Sequence, residues 1–207
     1  MSIQSQSRLP DEPLLYLIGV NHALQFKGAP AQIFGESESV QKKREAFTAH
    51  VAEMIDKLNI EILAEEFSDE AKRFSDEAKR KSAERETPLD EQSEQGMWET
   101  ALAQCNRETV LQQLSKTNGI EHRFCDPDSI EKQALGIEVD PRKETQSDRD
   151  KREQVWLSRI ADCKRRRVLF VCGDDHYDAF AEKLEAAGFT VERGPRYQIS
   201  KDEFLDF

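Results

Sequence analysis

Short apolar runs alternate with longer amphipathic stretches along this chain, and that alternation limits its fold more than any other feature. Residues 14–18, 60–64, 120–125, 168–172 and 189–192 are runs of four to six residues, each too short for a buried helix. A brief, nearly continuous apolar run suits a strand covered on both faces. Between the runs, apolar residues recur at helical spacing. Val40, Phe47, Val51, Met54, Ile55 and Leu58 form one stripe over 39–58, and Val155, Trp156 and Ile160 form another over 150–164. Helices are also expected over 98–114 and 177–187, with Gly119 and Gly188 as left-handed caps. Strands joined through helices need crossover connections and hence a parallel sheet. The expectation is an α/β fold: a single domain over 1–207, with a mostly parallel central sheet of about five strands and helices on both faces. A length of 207 residues suits one core.

Two stretches interrupt the pattern. Phe67-Ser68-Asp69-Glu70-Ala71-Lys72-Arg73 is repeated at once as Phe74-Ser75-Asp76-Glu77-Ala78-Lys79-Arg80. Seven residues nearly complete two helical turns, so the duplication lengthens a helix while hardly rotating its apolar stripe. Residues 67–118 as a whole read as a charged helical insertion, with a polar linker at 86–90. The polar stretch 137–148, with Pro141, reads as a mobile loop.

The formal net charge of −11 argues against a nucleic-acid partner, since phosphate binders concentrate Lys and Arg. Lys164-Arg165-Arg166-Arg167 is the one dense basic run, and it reads as a solvated helix end. The four cysteines form no C-x-x-C pair, the start is polar, and no run of ~18 apolar residues occurs. A soluble, reduced, cytoplasmic protein without a membrane partner is expected.

Ligands of a parallel sheet gather outside the carboxyl ends of its strands. Four expected strand ends carry ionisable or polar groups: Asn21 and His22; Glu65 and Glu66; Asp126 and Asp128; Asp174, Asp175 and His176. Both histidines follow a glycine by three positions, in Gly19-Val20-Asn21-His22 and Gly173-Asp174-Asp175-His176. Such a glycine lets the chain leave the strand sharply, at positive φ or with close approach to a ligand. Two imidazoles and one carboxylate form the set that holds a divalent metal with open positions. Without metal the same groups can act as acid and base near neutral pH. Strand alternation sends one of Glu65 and Glu66 inward and the other outward, and the sequence leaves open which. His50 and His122 read as ordinary structural residues, and Asp126-Pro127-Asp128 reads as a turn cap. Arg152-Glu153 is either surface charge or, through Arg152, a clamp for an anionic substrate group.

The segments Tyr16–His22, Ile62–Glu66, Arg152–Trp156 and 168–191 together resemble the TraB/TIKI-like group, within a wider set that includes ChaN-like and erythromycin-esterase-like proteins. The resemblance covers both ends of the chain and the order of elements, but not 67–118. It implies a metal-assisted hydrolase ancestry of peptidase or esterase type. It also implies that His22, Glu65 or Glu66, and His176 form the metal or catalytic set, with Arg152 nearby. The expected metal ligands are His22, Glu65 and His176, with Mn or Zn as the ion. The expected catalytic group is Glu66, Arg152 and Asp175. A small-molecule or peptide substrate follows from that reading. The alternative is a non-catalytic binding or accessory protein with a protein partner and a vestigial pocket.

Overall fold

The computed structural model describes residues 12–25, 38–69, 108–139 and 143–200. Most of the tandem repeat, the linker at 86–90, Cys105 and the first ten residues of the helix expected at 98–114 lie outside them.

Five strands form one sheet: β1 (Leu14–Val20), β2 (Ile62–Glu65), β3 (Glu121–Phe124), β4 (Arg167–Gly173) and β5 (Val191–Tyr197). Their order is β3-β2-β4-β1-β5, and every pairing is parallel. This is the α/β architecture that the alternating pattern predicts. β1 and β4 are buried along their whole length and lie side by side at the centre.

Alternate residues of these strands feed two cores. On one face Leu15, Leu17, Val168, Phe170 and Cys172 pack with Trp156, Phe180 and Leu184. These last three come from α4 (Gln146–Arg159) and α5 (Tyr177–Ala186). On the other face Tyr16, Ile18, Val20, Leu169 and Val171 pack with Phe47, Val51 and Ile55 of α1 (Glu38–Leu58) and Leu111 of α2 (Val110–Asn118). Apolar residues on both sides of the central strands are what a two-faced helical cover requires. The C-terminal end of the stretch read as an insertion is therefore part of the packed core, and Gly119 caps α2 at φ 66° as expected.

Two local readings need correction, and one short helix was not expected. Residues 137–148 do not all form a loop, because α4 begins at Gln146, where Thr145 and Asp148 make a capping box. Its polar first turn hides that start. A short helix, α3 (Ser129–Ala134), follows the Asp-Pro-Asp turn, and Asp128 caps it with Glu131 as reciprocal partner. The last strand starts later than 189 and runs through Gly194-Pro195 to Tyr197. It can hold a proline because it is an edge strand bonded only to β1. Gly194 is required there, since a Cβ would lie 2.8 Å from the Tyr16 ring.

Among the described residues, no helix is long and apolar enough to cross a membrane.

Phe47 is fully buried between α1 and the sheet and touches the rim of Tyr197 at a centroid distance of 5.4 Å. Phe47→Ala should lower unfolding free energy by about 3–5 kcal/mol in urea titration; a loss below ~1 kcal/mol would show that α1 does not carry this face.

Candidate functional site

The register of the two central strands sets Gly19 opposite Cys172 and Val20 opposite Gly173. The two glycine–histidine turns thus leave the sheet next to each other, although about 150 residues separate them. Each turn is a short 3₁₀ segment, His22–Leu24 after β1 and Asp174–His176 after β4. Neither glycine has positive φ; Gly173 sits at −58°. What excludes a side chain is crowding. A Cβ on Gly173 would lie 2.9 Å from His22 Nε2 and 3.0 Å from Glu66 Oε2, and one on Gly19 would lie 2.9 Å from Tyr177 Cδ2. The close approach expected of these glycines is present, and the unusual backbone conformation is not.

Glu66 is the centre of the cluster. Strand alternation turns it toward the face covered by α4, where its side chain is 1% exposed. Its Oε2 accepts from the Gly173 N–H at 2.5 Å, and its Oε1 accepts from Arg152 Nη2 at 2.6 Å. His176 Nε2 lies 3.5 Å and His22 Nε2 3.8 Å from the same Oε1. The two rings differ in access, because the His22 side chain is 48% exposed and that of His176 is buried. Each ring is tied at its other nitrogen. His22 Nδ1 is 2.8 Å from Gln25 Oε1, and His176 Nδ1 is 2.7 Å from Glu153 Oε1. Oxygen acceptors at both Nδ1 atoms favour Nδ1–H tautomers, which leave lone pairs on both Nε2 atoms.

Arg152 enters from α4 and is committed internally. Its Nε donates to Asp126 Oδ1 at 2.8 Å, Nη1 to Glu144 Oε1 at 2.7 Å, and Nη2 to Glu66. Burial works against its charge, but Glu66 and Asp126 outweigh burial and raise its pKa further. The side chain therefore fixes Glu66 instead of waiting for a substrate anion. Asp126 also accepts from Trp156 Nε1 at 2.9 Å and pairs with Lys132 at 2.8 Å. Burial pushes its carboxyl up, yet Arg152 and Lys132 prevail and hold it below the usual aspartate range.

Several expected site residues stand elsewhere. Glu65 points to the opposite face, where its Oε1 accepts from Thr109 Oγ1 at 2.6 Å and meets His122 Nε2 at 2.7 Å. It is not brought together with His22 and His176, because residue 65 and residue 66 must face opposite sides of the strand. Asp175 is 77% exposed and only 3.8 Å from Arg149 Nη2, outside the cluster. Asp174 is taken by Arg196 and Gln198. His50 meets the Tyr16 hydroxyl at 3.1 Å, and burial lowers its pKa. Gln25, Glu144, Glu153 and Lys183 were not expected as site groups. Gln25 could have been found from its spacing, since i and i+3 share a face on a helical turn. Glu144, Glu153 and Lys183 meet their partners only through tertiary folding.

Two imidazole nitrogens and a carboxylate oxygen are the donor chemistry of a divalent site. The arrangement is less favourable. Two donors each about 2.1 Å from one ion lie roughly 3–3.4 Å apart, whereas these separations are 3.5 and 3.8 Å and Glu66 Oε1 already accepts from Arg152. Among the described residues, no group of three or more His, Cys, Asp or Glu side chains is placed to hold a metal ion. As arranged, Glu66 is held by hydrogen bonds from Arg152 and the Gly173 N–H.

Two outcomes follow. Gly173→Ala should cost about 1–3 kcal/mol in urea unfolding by displacing Glu66 and His22 together, and an unchanged midpoint would contradict the crowding. Asp126, with its pKa depressed in the folded state, stabilises fully above the ordinary value of 3.8, and that contribution fades as pH falls below it. Stability measured from pH 6 down to pH 2 should fall, and Asp126→Asn should flatten the slope below pH 4. An equally steep acid limb in the variant would refute the pairing. Comparisons with protein-family models, curated proteins and solved structures return no match for this chain.

Proposed function

We propose that the rim cluster of His22, Glu66 and His176 is the centre of a hydrolase of esterase or peptidase type. The observation that carries this reading is the convergence of two imidazole Nε2 atoms, each anchored at Nδ1, on one buried carboxylate oxygen. Ordinary surface histidines have no need of such anchoring. The order of motifs that resembles the TraB/TIKI-like group supports the same assignment.

His22 is the ring open to an arriving substrate. The 3.8 Å between His22 Nε2 and Glu66 Oε1 is too long for a direct hydrogen bond. It lies within the span of a water bonded to both. Such a water can give one proton to His22 Nε2 while Glu66 accepts from its other hydrogen, leaving an oxygen lone pair aimed outward. The water oxygen adds to the substrate carbonyl carbon. The imidazolium then returns the proton to the departing alcohol oxygen or amine nitrogen as the C–O or C–N bond breaks, giving an acid and an alcohol or amine. Arg152 and the Gly173 N–H keep Glu66 in place throughout, and Arg152 acts through Glu66 instead of binding substrate. A divalent ion, Mn²⁺ or Zn²⁺, is the second reading of the same centre, favoured by the two nitrogen lone pairs and the carboxylate between them.

The test is hydrolysis of a panel of activated esters, natural esters and peptides, with metal analysis of the same purified protein. His22→Ala should lower kcat/KM by ~10²–10⁴-fold while leaving the thermal midpoint within a few degrees, as suits a half-exposed side chain. Activity that survives chelation in metal-free protein supports the direct acid–base route. A stoichiometric ion lost in both His22→Ala and His176→Ala supports the metal route. Turnover of no substrate, together with no bound ion, overturns the hydrolase and leaves a non-catalytic binding protein with a protein partner.

A further inference from the structure

The chain of contacts at His176 does not stop at Glu153. Glu153 is 1% exposed and presents its two oxygens in opposite directions. Oε1 meets His176 Nδ1 at 2.7 Å, and Oε2 accepts from Lys183 Nζ of α5. Lys183 in turn donates to Asp150 Oδ1 at 2.7 Å, near the surface. On the far side of the ring, Arg152 Nη1 lies 3.5 Å from His176 Nε2. An arginine can only donate, so Nε2 faces it as an acceptor. Trp156 closes over the ring edge-on at a centroid distance of 4.8 Å, which restricts its rotation. The ring is thus bounded by the Glu153 carboxylate at Nδ1, by the Arg152 guanidinium and the Glu66 carboxylate, each 3.5 Å away, at Nε2, and by one aromatic wall.

We propose that Glu153 and Lys183 are a positioning pair that dictates which nitrogen of His176 carries the proton, with Lys183 acting from α5 through Glu153. This inference rests on the hydrolytic reading for its purpose and stands on geometry for its content. A carboxylate can only accept, so it selects Nδ1–H and leaves the lone pair on Nε2, where Arg152 Nη1 is the donor that faces it. Lys183 holds that carboxylate aligned between α4 and α5. The hydrogen bonds of the pair go to His176, to Asp150 and to each other, and none goes to Glu66. A remote lysine therefore shapes the site by setting one tautomer.

A glutamine at position 153 exposes this device. The amide has the same shape but one oxygen and one NH₂. Lys183 donates and so captures the oxygen, which turns the NH₂ toward His176 Nδ1. Nδ1 must then accept, and the proton moves to Nε2. Glu153→Gln should therefore invert the tautomer, while Glu153→Gln combined with Lys183→Met should release that inversion, since the amide can flip back.

The experiment is ¹⁵N–¹H long-range correlation NMR on full-length protein labelled in its four histidines, at a pH where the rings are neutral. His176→Gln assigns the resonance. The expected result is Nδ1–H favoured by at least about tenfold in the wild type, in line with a charge-assisted bond. Nε2–H should predominate in Glu153→Gln, and Nδ1–H should regain population in the double variant. An Nε2–H ring in the wild type overturns the proposal without recourse to any variant, as does a tautomer indifferent to Glu153→Gln in folded protein. Absence of hydrolysis alongside the expected tautomers would remove the hydrolytic reading and leave the positioning pair in place.

Discussion

The pairing of β1 with β4 is the contact on which the remaining structure depends. Each strand is buried along its whole length, and neither face can be covered unless the two lie adjacent. Their side chains alternate between the two cores, so a slip of one residue would exchange Leu17 and Phe170 with Ile18 and Val171 across the sheet. The same register places Val20 against Gly173. Packing of the apolar core therefore sets the spacing of His22 and His176, and the rim chemistry inherits its precision from hydrophobic burial.

At that rim the dominant electrostatic fact is a group of buried carboxylates. Glu66, Asp126 and Glu153 are almost wholly removed from solvent. Unpaired, each would carry a large desolvation penalty. Arg152 answers two of them, Lys132 shares Asp126, and Lys183 answers the third. The planar fork of arginine explains the choice at position 152, because Nε and both Nη atoms reach three acceptors from one rigid group. A lysine there could not hold Glu66, Asp126 and Glu144 in three fixed directions. Breaking one contact in this set leaves a buried charge behind, so the network is stiff in the direction that matters for orienting Glu66.

The parallel sheet was legible because apolar runs and helical stripes report burial directly. So were the rim histidines, since a polar residue just past a buried strand has only the rim to occupy. Four kinds of information were not legible. The edge strand β5 was legible only at its start, because past residue 192 it carries Gly194-Pro195 and little burial and its pattern resembles a loop. The start of α4 is polar and is marked only by the Thr145–Asp148 capping box. The assignment of Glu65 and Glu66 depends on strand phase, and a run ending in two glutamates does not reveal its phase; coordinates send Glu65 to Thr109 and His122. Arg152 was visible as a strong hydrogen-bonding group, but its three carboxylate partners come from three different segments. No local pattern could show that it is saturated.

The sheet order has a consequence for how this chain acquires its shape. β1 is made early, yet both of its neighbours, β4 and β5, come from the final quarter of the sequence. Closing so long a loop carries a high entropic cost before any pairing is gained. On a ribosome the first strand must wait, its backbone groups solvated or shielded by α1, until residues beyond 167 emerge. The centre of the sheet consequently cannot close before β4 is made, and a chain halted before β4 lacks His176 and with it the rim cluster.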